Sequence, residues 1–219
     1  MPTIKYRLAD GSPVPGVTTV IGNSLGWNKG ALMYWAHQEG LAGRDYRETQ
    51  KDAADAGTLA HAMVEAKIRG EKFTPPATTT PEQLKLARLS FDAWQEWVTN
   101  SRIEFIATEP HLVSEDYRFG GTPDAIGKLK SGICLLDWKT SKGIYAEYLI
   151  QLAAYEHLWN LANPKEAITG GIHACRFDKS TGGFAHHFWP CEALRPAWKA
   201  FLALRDLYDL QREMKALAA

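Results

Sequence analysis

Two acidic side chains and a lysine are spaced along the stretch GGTPDAIGKLKSGICLLDWKTSK so that a hairpin would bring them together. Asp124 follows a Gly-Thr-Pro turn, Asp137 comes thirteen positions later at the end of an apolar run, and Lys139 follows two residues further on. If two strands meet at the Lys-Ser-Gly turn, both carboxylates lie at one end of the hairpin beside the lysine. Two hard oxygen ligands and an ammonium in one cleft suit a magnesium ion and a phosphodiester. The spacing therefore predicts a site for metal-assisted phosphodiester hydrolysis.

The acid-x-lysine triplet is not informative by itself, because the chain contains three of them. The triplets at 65–67 and 213–215 fall in predicted helices, where such pairs belong to a solvated surface. Only the triplet at 137–139 ends an apolar strand and has a turn-borne aspartate upstream. The competing interpretation makes Asp124 an ordinary turn residue and Asp137 an exposed strand end beside a surface lysine.

A histidine and a glutamate upstream share one face of a predicted helix over residues 52–69. His61 and Glu65 are four positions apart in GTLAHAMVE, so a helix places their side chains one above the other. A neutral imidazole can complete the ligand shell of magnesium or manganese, and imidazole ligation favours manganese. The alternative is a partly buried helix histidine with a local glutamate partner.

Downstream, polar side chains recur at four-residue intervals on a predicted helix over residues 146–161. These are Glu147, Gln151 and Tyr155. A glutamine and a tyrosine on the helix face that meets the catalytic edge of a sheet can hydrogen-bond a phosphate or orient the lysine. The alternative is the polar surface of an ordinary amphipathic helix.

A second pattern points to different chemistry, that of a serine hydrolase. The apolar run at 17–21 precedes Gly22-Asn-Ser24-Leu-Gly26, which matches the strand–GxSxG–helix elbow that holds a nucleophilic serine. Such an elbow normally follows several strands of a sheet, and about sixteen residues are too few to build them. We therefore expect Ser24 to lie in a glycine-rich loop that caps the next helix.

Composition is that of an ordinary soluble globular chain. Twenty-five basic and twenty-five acidic residues give a formal net charge of zero, which argues against a large surface that coats DNA non-specifically. The three cysteines form no CxxC pair, so we expect no zinc site, iron–sulfur cluster or disulfide framework. No segment resembles a signal peptide or a membrane span, so the cytoplasm is the expected location.

The pattern of apolar residues and turn signals predicts an α/β fold with a mixed central β-sheet flanked by helices. We expect a single domain over residues 1–219, with a mainly helical part at 1–100, a sheet core at 101–190 and a terminal helix at 191–219. Extended pieces are predicted at 6–8, 17–21, 103–113, 133–138, 170–177 and 184–189, with one or two further strands at 117–129 and a hairpin turn at 182–183. Helices are predicted at 28–40, 52–69, 81–100, 146–161 and 192–217.

The ordered motifs GTLAHAMVE, GGTPD, DWK and QLAAY resemble those of the RecB-type branch of the PD-(D/E)xK nuclease superfamily. That branch includes helicase-associated, CRISPR-associated, phage and mitochondrial exonucleases, and the resemblance runs from about residue 14 to about residue 159. It also implies a restriction-endonuclease-like sheet core. Members with an iron–sulfur cluster use four cysteines, so a compact stand-alone phage or bacterial exonuclease is the better match.

The resemblance implies a role for each motif residue. The metal ligands would be His61, Asp124, Asp137 and the backbone carbonyl of Trp138. Lys139 would position or activate the attacking water and help to neutralise the phosphorane. Gln151 and Tyr155 would support the site and contact nucleic acid. Glu65 would support the metal ligands without binding the metal itself, and Glu109 is a weaker candidate for another metal-site carboxylate.

The resulting expectation is a Mg²⁺- or Mn²⁺-dependent DNA exonuclease of repair or recombination type, acting on single-stranded DNA or duplex ends. The alternative is a catalytically silent DNA-binding or scaffold module with the same fold. Retention of every expected motif side chain argues against a silent module. The sequence leaves polarity, strand preference and oligomeric state open.

Overall fold

A five-stranded mixed sheet with helices on both faces organises the chain. The computed structural model describes residues 5–27, 29–141, 143–178 and 183–218, and for residues 48–56 it describes the backbone alone. The strands are β1 (Tyr6–Arg7), β2 (Pro13–Val14), β3 (Glu104–Thr108), β4 (Leu112–Ser114), β5 (Phe119–Gly121), β6 (Ala125–Leu129), β7 (Gly132–Thr140), β8 (Ile172–Phe177) and β9 (Phe184–Trp189). The helices are α1 (Val17–Ser24), α2 (Lys29–Leu41), α3 (Tyr46–Ile68), α4 (Pro81–Ser101), α5 (Ala146–Ala162) and α6 (Arg195–Leu217), with 3₁₀ turns at Pro164–Glu166 and Cys191–Leu194.

The sheet has the strand order β3-β6-β7-β8-β9. Strands β7 and β8 are parallel and are connected through α5, whereas the other neighbouring pairs are antiparallel. A parallel pair needs such a crossover, and its helix packs back onto the sheet. The sheet is therefore mixed and flanked by helices, as the sequence predicted.

Alternation along the strands sends side chains to two separate cores. On one face, Leu135 and Ile172 pack with buried residues of α1, α5 and α6. On the other, Leu136 and Trp138 pack with Val64 of α3 and with Trp94 of α4. Strand β7 is buried on both faces, which is why its sequence is a continuous apolar run up to Asp137.

Local signals define the two long helices next to the sheet. Helix α4 begins with a capping box, in which the Thr80 side chain accepts from the Gln83 backbone and the Gln83 side chain accepts from the Thr80 backbone. Helix α3 begins after Asp45, which accepts from the Arg47 backbone. It ends before Gly70, whose φ of +70° is the left-handed conformation that glycine adopts without strain.

Several predicted elements differ from the structure. The segment 17–21 is helical, not extended, because its β-branched residues recur at helical spacing and bury Val17, Val20 and Ile21 together. The strand predicted at 103–113 is two strands, β3 and β4, separated where Glu109 has a φ of +48°. Helix α3 begins six residues before the predicted start at 52, and a 3₁₀ turn precedes α6. Part of the turn predicted at 182–183 lies outside the described residues.

Of the described helices, none combines the length and the apolar character needed to cross a membrane.

Candidate functional site

The hairpin formed by β6 and β7 brings the two predicted aspartates to the same end of the sheet. Ala125 pairs with Leu136, so Asp124 and Asp137 are adjacent across the two strands. The backbone N–H of Trp138 donates to Asp124 Oδ2 over 2.7 Å. The hairpin predicted from the Lys-Ser-Gly turn is present, and Asp124 is held directly against the strand that carries Asp137.

A chain of polar contacts runs from Asp137 through the lysine to helix α5. Lys139 Nζ lies 2.7 Å from Asp137 Oδ2 and donates to Gln151 Oε1 over 2.8 Å. Gln151 Nε2 donates to the Tyr155 hydroxyl over 2.9 Å. The ammonium is mostly buried, with 13% of its side chain exposed. The crossover helix therefore fixes the position of the lysine at the end of β7.

Burial and mutual charge shift the pKa values of these groups. Burial raises the pKa of Asp137 to about 6; the Lys139 ammonium opposes that shift and the Asp124 carboxylate adds to it. Burial also raises the pKa of Asp124, against the Lys139 charge. Burial acts to lower the pKa of Lys139, but the two carboxylates outweigh it and the pKa of the ammonium is raised. At neutral pH Asp137 is therefore mainly ionised and faces a protonated Lys139.

Helix α3 brings His61 to the same group. Burial lowers the pKa of His61 to about 4, although the charge of Asp137 acts to raise it. A hydrogen bond with the Trp138 backbone also acts to raise this pKa. A bond that raises the pKa of an imidazole stabilises its protonated form, so the partner is the Trp138 carbonyl, which accepts. The imidazole is consequently neutral at pH 7, the form in which histidine binds metals. The backbone of Trp138 thus contacts Asp124 through its N–H and His61 through its carbonyl.

Glu65, which was predicted to support the metal ligands indirectly, lies one turn after His61 and forms an ion pair with Arg69. Arg69 also reaches Glu109, at 3.2 Å, and a side-chain hydrogen bond joins the two glutamates. Burial, followed by the charge of Glu65, raises the pKa of Glu109. The Glu109 backbone N–H donates to the Asp124 carbonyl over 3.0 Å, so this charged cluster borders the site.

Glycines let the surrounding elements approach closely. A Cβ at Gly121 would lie 2.7 Å from the Tyr155 ring, and one at Gly120 would collide with the Tyr6 ring. A Cβ at Gly57 of α3 would collide with the side chain of Thr140, whose Cβ it would meet at 2.9 Å. The glycines of GGTPD and of GTLAH are therefore packing requirements that seat β5 and α3 against the site.

Sequence reasoning did not identify Tyr148, which lies beside Lys139. The Lys139 ammonium is 5.1 Å from the centre of the Tyr148 ring. Tyr148 precedes Gln151 by three residues and Tyr155 by seven, so it belongs to the same face of α5. The predicted stripe followed four-residue spacing from Glu147, and it missed Tyr148 because that residue lies three positions before Gln151.

The serine-hydrolase pattern does not form a nucleophile elbow. Ser24 is the last residue of helix α1 and is 8% exposed. It neither follows a strand nor lies in the glycine-rich loop that we expected. Among the described residues its hydroxyl has no hydrogen-bond partner, and a serine nucleophile needs an adjacent base.

The donor set at the end of β7 suits a divalent cation. It comprises two buried carboxylates, a neutral imidazole and the Trp138 carbonyl, which are ligand types of Mg²⁺ and Mn²⁺. Asp137 Oδ2 lies 2.7 Å from the Lys139 ammonium, so a cation held by this oxygen would share it with the lysine. In the described part of the chain, no three His, Cys, Asp or Glu side chains are already clustered as a metal site. Metal binding would therefore require these side chains to move closer together.

Comparison with known families gives one match that covers the whole site. A sequence model of the PD-(D/E)XK nuclease superfamily matches residues 31–217. This range contains every residue discussed above from His61 to Tyr155. No curated protein matches the chain.

Solved structures give distant likenesses. A presumed exonuclease from Eubacterium rectale has 12% identity and a TM-score of 0.45, over 69% of this chain and 68% of that one. The alkaline exonuclease LHK-Exo from Laribacter hongkongensis has 15% identity and a TM-score of 0.34, over 75% and 93% of the two chains. A complex of LHK-Exo with dAMP has 16% identity and a TM-score of 0.34, over 76% and 97%.

Proposed function

Because the chain belongs to the PD-(D/E)XK nuclease superfamily, we propose that it is a magnesium- or manganese-dependent deoxyribonuclease that works as an exonuclease. The family match is consistent with the RecB-type branch. The observation that carries the proposal is the buried contact between Asp137 and Lys139, which lies beside Asp124 and His61. Burial of an ion pair is costly, and a role in hydrolysis would account for an ion pair buried at this position.

Each side chain has a part in this proposal. His61, Asp124, Asp137 and the Trp138 carbonyl would hold the cation, which would supply an acidified water and a polarised phosphate. Lys139 would direct the attacking water and offset negative charge as it develops on the phosphorus oxygens. Gln151 would hold the ammonium in place, with Tyr155 fixing the amide.

Water would lose a proton and attack the phosphorus of a DNA strand, the P–O3′ bond would break, and the departing 3′ oxygen would take up a proton. The products would be a 5′-phosphate and a 3′-hydroxyl. The substrates that we propose are single-stranded DNA or duplex ends.

The test uses end-labelled linear DNA and a circular substrate with magnesium, manganese or EDTA. We expect degradation of the linear DNA with either metal, none with EDTA, and survival of the circle. Asp137→Asn and Lys139→Ala should each lower the rate by about a thousandfold, because each removes a charge that acts on the reacting phosphate.

Lys215→Ala is the matched control, since Lys215 ends another acid-x-lysine triplet but is exposed on α6. It should cleave DNA at the wild-type rate. Cleavage that persists in EDTA or in Lys139→Ala would contradict the proposal. Metal-independent DNA binding without turnover would instead support the silent scaffold module.

A further inference from the structure

The aromatic ring of Tyr148 covers one side of the lysine ammonium. Lys139 Nζ lies 5.1 Å from the ring centre, within the distance at which a cation is attracted to a π face. The ammonium also contacts Asp137 at 2.7 Å and Gln151 at 2.8 Å. An ammonium has three N–H donors, so a carboxylate, an amide and a ring face together limit its orientation.

The ring itself is held in place. A side-chain hydrogen bond joins Tyr148 to Ser141, which follows β7 directly. The Ser141 backbone N–H donates to the Phe177 carbonyl over 3.1 Å, and its carbonyl accepts from Arg176 over 3.1 Å. The Ser141 hydroxyl donates to the Gly143 carbonyl over 2.7 Å. Tyr148 is therefore attached to a buried residue that strand β8 fixes in position.

We propose that Tyr148 is a positioning residue for Lys139, a role that rests on the proposed nuclease function. Asp137 and Gln151 lie on two sides of the ammonium and the ring covers another, so the ring restricts the orientations that the Lys139 side chain can adopt. Loss of the ring would leave the charge intact but would let the ammonium take other rotamers. The substrate would bind as before, and the chemical step would slow.

The experiment compares Tyr148→Leu, which removes the π face, with Tyr148→Phe, which keeps it and loses only the hydroxyl. Under saturating metal we expect Tyr148→Leu to lower kcat about tenfold and to leave KM within about twofold. Tyr148→Phe should stay within about threefold of the wild-type kcat. Tyr117→Leu, at a tyrosine that packs against His157 and Trp198, is the matched control and should have the wild-type kcat.

A second measurement does not depend on activity. In the metal-free protein, the ring should shift the NMR resonances of the Lys139 ε-methylene protons upfield. Tyr148→Leu should abolish that shift and Tyr148→Phe should retain it, and circular dichroism should show that both variants fold.

The outcomes separate this inference from the function on which it rests. An inactive wild type would defeat the proposed function, whereas the methylene shift would still test the Lys139–Tyr148 contact. An active wild type with an unchanged kcat in Tyr148→Leu would overturn the inference alone. A KM increase at constant kcat would also overturn it, because the ring would then contact substrate. Equal losses in Leu and Phe would assign the effect to the hydroxyl and contradict the role of the ring.

Discussion

Two groups of ionisable side chains lie on the same sheet, one at the end of β7 and the other across β8 and β9. In the first, Asp137 and Lys139 form an ion pair that continues to Gln151. In the second, His173 Nδ1 lies 2.9 Å from His186 Nε2, and His186 lies 4.9 Å from Trp97, ring centre to ring centre.

The two groups respond to burial in different ways. Burial lowers the pKa of His186 to about 4, with the neighbouring imidazoles adding to the shift, and it lowers the pKa of His173. These imidazoles are therefore neutral near pH 7, and among the described residues neither forms an ion pair. At the end of β7, opposite charges keep one another ionised despite burial. Burial shifts pKa values in both groups, but only the group at the end of β7 keeps its charges, and this distinguishes the candidate site from the packed histidine pair.

The largest effect expected in the comparison comes from Gly57, which seats α3 and His61 against Thr140 of β7. Gly57→Ala would force the helix away from the strand. Because a displacement of about 1 Å can cost about a hundredfold in rate, we expect kcat to fall about that much and the Tm to fall as well. The measurement is the exonuclease rate with a thermal melt.

Gly40→Ala is the matched control, since a Cβ there meets no atom within 4 Å in helix α2. It should keep the rate and gain up to about 1 kcal/mol of stability from better helix propensity. A wild-type rate in Gly57→Ala, as in this control, would contradict the close contact between Gly57 and Thr140. Adding Thr140→Ala to Gly57→Ala should restore part of the rate.

A smaller effect is expected from the histidine pair, on how the Tm depends on pH. Since the pKa of His186 is lowered from 6.5 to about 4, its neutral form favours the folded state. That stability is fully present above about pH 6.5 and is lost as the pH falls towards 4. His186→Phe cannot take up a proton, so its Tm should fall less than the wild-type Tm between pH 7 and pH 4.5.

The same variant should cleave DNA within about twofold of the wild-type rate. Among the described residues, the two imidazoles are hydrogen-bonded to each other and His173 to the Gly170 carbonyl, and not to the side chains at the end of β7. A large loss of activity in His186→Phe, with the fold intact, would show that the distinction between the two groups is wrong.

Local patterns predicted the hairpin and the order of most elements. Asp124 and Asp137 come together because a short turn and an apolar run determine the pairing of β6 with β7, and both signals lie within one stretch of sequence. That His61 lies close to this hairpin could be expected only from the family resemblance, because His61 and the hairpin are far apart along the chain.

Contacts between distant elements were not predictable in this way. The Arg69–Glu109 ion pair depends on how α3 packs beside β3 and β4, and no local pattern encodes that approach. Tyr148 faces Lys139 because the crossover helix has a particular rotation about its axis. The segment 17–21 was wrongly predicted to be extended, because β-branched residues favour strands locally. In the structure it is helical, and burial of Val17, Val20 and Ile21 against the core stabilises that helix.

The most direct test of the central claim is Mn²⁺ binding to the wild type and to Asp137→Asn, measured by calorimetry between pH 5 and pH 8. Because burial raises the pKa of Asp137 to about 6, protons should compete with the metal below that pH. The account predicts affinity that levels off above about pH 6 and falls roughly tenfold per pH unit below it. It also predicts that Asp137→Asn binds weakly at every pH. Equal affinity in the two proteins, or wild-type affinity that is independent of pH, would contradict the account.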